Sequence, residues 1–169
     1  MIVRRTRRLA GGLFAAVLAC LLLAPASQGQ DKDKLDLDKI PKAVMAALKA
    51  KFPGAEIHKW TKETEGGNVI YDIEFKQNRR KCEADIKEDG TFINYEKEIA
   101  AKDLPEAVKK TVDKRYPKAT LKEIMEITEV KDNKDRLEGY EIVLETADSK
   151  EAEITVAPDG KILEDSGAK

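Results

Sequence analysis

The 169-residue sequence predicts an α+β protein, a tandem duplication of an α-β-β-β-β unit with each helix packed on one face of an antiparallel sheet. Three observations lead there. "IPKAVMAALKAKFPGAEIHKW" over residues 40–60 is nearly repeated as "LPEAVKKTVDKRYPKATLKEI" over 104–124. Each copy opens with helical periodicity. Each then runs into alternating segments separated by turn residues. An internal repeat constrains the architecture before any single element does.

The chain begins with an export signal. Arg4, Arg5, Arg7 and Arg8 form a positive n-region, Leu13 to Leu23 an apolar h-region, and Ala24-Pro25-Ala26 a small-residue cleavage site. The apolar run is shorter than the roughly 20 residues of a membrane span. Val17-Leu18-Ala19-Cys20 resembles a lipoprotein cleavage box, but Leu21-Leu22-Leu23 continue the apolar stretch past Cys20, which disfavours a lipid anchor there. A twin-arginine reading at Thr6-Arg7-Arg8 is weaker, because Ala10 and Gly11 stand where bulky apolar residues belong. The expected organisation is a secretory signal over 1–26, a polar leader over 27–37, a first repeat over 38–99 and a second over 100–165. Contact with a membrane is expected only through the transient signal.

Removing residues 1–26 takes away four arginines and no acids, leaving 27 basic against 32 acidic residues. That balance suits a soluble exported domain and argues against nucleic acid as a partner. Cys82 then stands as the only cysteine, so no intramolecular disulfide can form. The fold must rest on a hydrophobic core.

The two copies are offset by 64 residues at Ile40-Pro41 and Leu104-Pro105, at Ala43-Val44 and Ala107-Val108, and at Phe52-Pro53 and Tyr116-Pro117. The offset is 69 at Tyr71 and Tyr140, and 70 at Gly90 and Gly160. The extra residues fall in "VKDNKDRLEG", read as a longer polar loop. Ile40, Ala43, Val44, Ala47 and Leu48 make one helical stripe, repeated by Leu104, Ala107, Val108, Thr111 and Val112. Pro41 and Pro105 fit the first helical turn, Asp38 and Asp103 are placed to cap, and Pro53 and Pro117 end each helix.

A strand then starts irregularly. Ile57 and Trp60 are three apart, as are Leu121 and Ile124, which predicts a bulge at the same place in both copies. Second strands run through Val69, Tyr71, Ile73 and Phe75, and through Tyr140, Ile142 and Leu144. Third strands carry Cys82, Ala84 and Ile86, and Ala152, Ile154 and Val156. Asp89-Gly90 and Asp159-Gly160 make hairpin turns. Fourth strands follow through Phe92 to Glu98 and, more briefly, through Ile162 and Leu163. Pairing between the two sheets is not readable from the sequence, and charged residues should blunt their edges.

Residues with catalytic chemistry are few. His58 is the only histidine and reads as an exposed strand residue, so triad hydrolysis and histidine-based zinc catalysis lack their parts. Cys82 has core parity and reads as a packed thiol. Asp31, Asp33, Asp36 and Asp38 do not make a calcium loop, since Asp36 and Lys42 occupy the positions that need glycine and glutamate. Asn78-Arg79-Arg80-Lys81 is a basic hairpin tip. Trp60 is either core or a binding anchor, and its counterpart Ile124 favours the core. No catalytic residue, metal site or cofactor is expected. The possible partner-binding surface comprises Trp60, His58, Arg79 and Arg80.

The spacing "[I/L]-P-x-A-V … [F/Y]-P-x-A", followed by "Y-[D/E]-I" and "D-G", resembles the PepSY-like family of exported bacterial proteins, in its tandem, β-lactamase-inhibitor-like form. It is carried by Pro41, Phe52, Tyr71 and Gly90, and by Pro105, Tyr116, Tyr140 and Gly160. The resemblance implies helix-on-sheet repeats, a periplasmic or secreted location and a binding or inhibitory role, because PepSY units occur in propeptides of secreted metalloproteases. It brings no catalytic residue. The chain departs from the β-lactamase inhibitor proteins themselves, which are disulfide-bonded and present aromatic-rich surfaces. The function expected is that of a non-enzymatic exported binding module acting on a protein of the envelope or beyond, as inhibitor or regulator. The alternative is an envelope protein that binds small ligands or divalent cations with its acidic sheet faces.

Overall fold

The computed structural model describes residues 35–168. The expected signal over 1–26, with Cys20, and the leader through residue 34 lie outside the described residues.

Helix α1 (Lys42–Lys51) is rich in strong helix formers, and its apolar stripe buries Val44 and Leu48 completely. Helix α2 (Glu106–Arg115) does the same with Val108 and Val112. Pro41 and Pro105 occupy the N-cap positions rather than the first turn. The capping expected of Asp38 and Asp103 is not observed. Both lie in short 3-10 turns, Leu37–Lys39 and Ala101–Asp103, and neither α-helix has a side-chain cap hydrogen bond. At the other ends Phe52 and Tyr116 donate backbone N–H bonds to Leu48 and Val112, and the helix stops before the following proline.

Eight strands follow in two sets: β1 (Glu56–Glu65), β2 (Asn68–Gln77), β3 (Arg80–Lys87) and β4 (Phe92–Glu98), then β5 (Thr120–Lys131), β6 (Lys134–Glu145), β7 (Glu151–Val156) and β8 (Ile162–Ala168). They form one antiparallel sheet in the order β1 to β8. The two halves join where β4 pairs with β5, from Asn94 opposite Glu129 to Glu98 opposite Met125. β8 is as long as β4, at 7 residues each, not the shorter strand expected.

The irregular first strands are bulges. His58 is the extra residue between Ile57 and Lys59, and Lys122 is the extra residue between Leu121 and Glu123. A second matched pair occurs in the fourth strands, at Ile93 and Leu163. The longer loop expected over "VKDNKDRLEG" is instead strand. β5 and β6 extend to a two-residue turn at Asp132-Asn133, both with positive φ, and a bulge at Glu138 absorbs one further residue. Asn and Asp tolerate that left-handed turn conformation, so paired strands displace a loop.

Each helix packs over its own half of the sheet. Ile40, Val44 and Leu48 meet Tyr71, Ile73, Phe75, Cys82, Ala84 and Ile86. Leu104, Val108 and Val112 meet Ile124, Tyr140, Ile142, Leu144, Ala152, Ile154 and Val156. Burying one such side chain contributes about 1.5–3 kcal/mol. The turn glycines lock helix to sheet. A Cβ on Gly90 (φ +91) would lie 2.9 Å from the Ala43 carbonyl oxygen, and one on Gly160 (φ +89) would lie 3.0 Å from that of Ala107.

Candidate functional site

Both helices lie on the face that carries Ile73 and Ile142, so strand alternation puts the intervening residues on a face that neither helix covers. Register then lines them up across strands. One row runs Lys59, Glu74, Glu83, Glu96 and Ile127, on β1 to β5. The next runs Thr61, Asp72, Asp85, Asn94, Glu129 and Arg136, on β1 to β6. Beyond β4 the face also holds Met125 and Val143 with Glu123, Glu141, Glu153 and Thr155. Ile70, Met125, Glu141 and Thr155 are buried there, and most of the central carboxylates are half-buried.

Cations meet this face mainly at its margins. Lys59 Nζ is 2.7 Å from Glu74, Lys81 Nζ is 2.6 Å from Glu123 and 3.4 Å from Glu83, and Arg136 pairs with Glu129. Glu74 holds the Lys59 ammonium above its ordinary pKa, chiefly by hydrogen bonding. Asn94 Nδ2 donates to Asp85 at 3.2 Å. Among the described residues no group of three or more His, Cys, Asp or Glu is arranged to hold a metal ion, so the divalent-cation alternative has no ligand set among them.

A second constellation closes each helix on the opposite face. Lys51 at the end of α1 donates to both carboxylate oxygens of Asp135, at 2.7 and 2.9 Å, and the Tyr95 hydroxyl donates to Asp135 at 2.9 Å. Hydrogen bonding from Lys51 holds Asp135 below the usual carboxylate range, against the opposing effect of burial. At the end of α2, Arg115 Nε and the Tyr116 hydroxyl both donate to Asp165. Burial, and then the bond to Asp165, push the Tyr116 pKa up to about 12. Burial acts to raise Asp165, but its hydrogen bonds from Tyr116, Arg115 and the Gly167 N–H hold it below the usual value.

The four residues singled out in the sequence fall at one margin of the sheet. His58 is exposed at the bulge of edge strand β1. Trp60 is half-buried, not fully in the core as its match to Ile124 implied. Among the described residues β1 has no strand on its outer side, so the indole packs on the first core with its ring 6.0 Å from Tyr71. Arg79 lies in the exposed β2–β3 turn with Asn78, Arg80 is the exposed first residue of β3, and Arg80 donates to the Glu98 carbonyl. His58 and Trp60 share one strand and the arginines are neighbours at one hairpin tip, but no described hydrogen bond or ring contact joins the two pairs. Cys82 is buried, and desolvation raises its thiol pKa. The sequence shows acidic sheet faces but not their alignment into rows, because single strands show only ordinary polar alternation. Register is what aligns them.

This arrangement of helices on one continuous antiparallel sheet matches a known class. The chain belongs to the PepSY-like family described as "Putative beta-lactamase-inhibitor-like, PepSY-like", whose model matches residues 29–94 and 69–164. Solved structures share the fold. A BLIP-like protein of Bacteroides fragilis is 19% identical with a TM-score of 0.53, covering 75% of this chain and 85% of its own. A structure described as "putative periplasmic proteins" from Bacteroides eggerthii is 15% identical with a TM-score of 0.59, covering 75% and 87%. A DUF2874 family protein of Bacteroides uniformis is 16% identical with a TM-score of 0.58, covering 74% and 87%. No curated protein matches the chain. Among the described residues no helix is long and apolar enough to cross a membrane.

Proposed function

We propose that the protein is a non-enzymatic binding module, exported to the periplasm or beyond, whose uncovered sheet face engages a protein partner. One observation carries this: eight strands make a continuous platform, with both helices on the other side. A sheet face over which the described residues lay no second layer is a ready docking surface. The expected signal at residues 1–26, the family description and the periplasmic label of one structural relative support the location. Matched bulges, turn glycines and 3-10 turns in the two halves support an origin by tandem duplication. Within that reading the module acts as an inhibitor or regulator of an envelope or secreted enzyme.

Photo-cross-linking residues placed at Thr61, Lys76 or Asn94 on the uncovered face, and at Lys49 or Lys110 on the helices, test it in cells exporting the protein. Adducts to one protein from the sheet positions alone are expected. Adducts from the helix positions alone, or from none, would discard the reading.

A further inference from the structure

Independently of what the uncovered face binds, we propose that β1 is the pairing edge of a reversible homodimer, in which two copies join β1 to β1, antiparallel, about Thr61. Among the described residues no strand pairs with the outer side of β1 or of β8, so the sheet has two open edges. They differ in regularity. β8 meets β7 with two breaks in register and carries Gly167 at φ +71. β1 keeps unbroken register with β2 from Lys59 to Glu65, between the His58 bulge and the Gly66-Gly67 turn. A two-residue turn closes on the Glu65–Asn68 pair, so Glu65, Glu63 and Thr61 direct their backbone groups at β2. Alternation leaves those of Thr64, Lys62 and Trp60 facing outward.

The side chains of this edge complement their own reverse order. With Thr61 opposite Thr61 of a second copy, Lys59 stands opposite the copy's Glu63 and Trp60 opposite the copy's Lys62, each twice by symmetry. Lys59 and Glu63 lie on the uncovered face, Trp60 and Lys62 on the helix face, so faces match as well as charges. The same register brings the outward backbone groups of Trp60 and Lys62 together as a bonded pair on each side of the two-fold axis. Lys59 keeps its 2.7 Å contact with Glu74, since an ammonium has donors enough to bridge two carboxylates. Sliding to the next face-matched register sets Lys62 against Lys62, or leaves Lys59 opposite Thr61. Trp60 gains most. It is half-buried on the first core, and diagonal neighbours across a strand pair lie within reach of aromatic side chains. The two indoles therefore meet beside the copy's Lys62 and lose their remaining exposure. Both helix layers fall on one side of the joined sheet, and both uncovered faces on the other.

Sedimentation velocity of the full exported chain, from about 1 to about 300 μM, should show a monomer–dimer equilibrium, because a single strand edge is a small interface. Emission of Trp60, the only tryptophan, should shift to the blue over the same range. Lys59→Glu sets like charges opposite one another in both symmetric pairs and should weaken the dimer at least about tenfold. Lys59→Glu/Glu63→Lys restores opposite charges across the axis and should recover it to within about threefold, although the contact with Glu74 stays lost. Lys62→Pro removes an outward N–H and should abolish the dimer with the monomer still folded, as edge strands tolerate proline there. A monomer throughout the range, or a dimer indifferent to Lys59→Glu, would overturn the proposal. So would growth beyond a dimer, which means head-to-tail pairing of β1 with β8. In the cross-linking experiment self-adducts are expected from Thr61 and not from Lys76 or Asn94, whose adducts to another protein test the uncovered face separately.

Discussion

The two halves of the molecule build the same helix-on-sheet unit and close it differently. At the end of α1 the acceptor for Lys51 and Tyr95 is Asp135, a residue of β6 in the other half. At the end of α2 the acceptor for Arg115 and Tyr116 is Asp165, on β8 of the same half. One closure holds the halves together and the other is self-contained. The added residues near Asn133 make the difference, because they lengthen the β5–β6 hairpin until Asp135 reaches α1. A longer hairpin in one half can thus become the contact between the halves.

The comparison is tested most severely where the halves should agree. Gly90→Ala and Gly160→Ala each force a side chain into a left-handed conformation and against a helix carbonyl, so each should cost about 2–3 kcal/mol. Urea unfolding should show one transition for both variants, because the sheet is continuous. Two transitions, or costs differing by more than about 1 kcal/mol, would mean the halves are not equivalent units.

Tyr116→Phe comes next and probes where they differ. Losing a hydroxyl bonded to a carboxylate should cost about 1.5–2 kcal/mol at neutral pH. The Tyr116 pKa rises from 10.0 to about 12 in the fold, so its stabilisation is complete below pH 10 and disappears as pH climbs to about 12. Asp165 has the opposite sign: its depressed pKa stabilises above the ordinary carboxylate value of 3.8 and fails as pH falls through the folded value. The variant should lose much of the alkaline arm of the stability profile, with burial-raised Tyr95 and Tyr140 retaining part of it. An unchanged arm would remove Tyr116 from the closure. Phe52 holds the equivalent place in the first half and has no hydroxyl to lose.

A smaller effect is expected at the bridge between halves. A double-mutant cycle of Lys51→Met and Asp135→Asn should give a coupling of about 0.5–1 kcal/mol, since both side chains are partly exposed, at 26% and 43%. Zero coupling would leave the β4–β5 ladder, the Tyr95–Asp135 hydrogen bond and the Lys81–Glu123 ion pair to tie the halves. Smallest of all, His58→Ala and Lys122→Ala should each stay within about 0.5 kcal/mol, as the bulge is a backbone feature. A cost above about 1 kcal/mol at His58 alone would give that side chain a role its counterpart lacks.

Much of the scaffold was legible because it is written twice. The bulges at His58 and Lys122 showed as broken alternation, and the turn glycines as Asp-Gly. The β4–β5 joint was not legible. It pairs Asn94, Glu96 and Glu98 with residues far along the chain, and polar side chains on an exposed face set no register of their own. The carboxylate rows were hidden for the same reason: Asp72, Glu83 and Glu96 look like ordinary solvent-facing positions until strand order places them side by side. The strand extension at Asp132-Asn133 left a readable clue in its turn residues, which polarity outweighed. Trp60 packs on the first core yet stays half-buried, because its counterpart Ile124 lies on an interior strand, whereas β1 is an edge among the described strands.

Strand order also bears on how the chain is made. Every strand after β1 except β5 pairs with its immediate predecessor through a hairpin, so nearly all pairing is local and fast. A chain delivered N-terminus first completes α1 and β1 to β4 by Glu98, before β5 exists. For that interval β4 is a bare edge, the kind of surface on which nascent chains stick together. Its last residues are Glu96, Lys97 and Glu98, and charge on an open edge deters foreign strands until the proper one arrives.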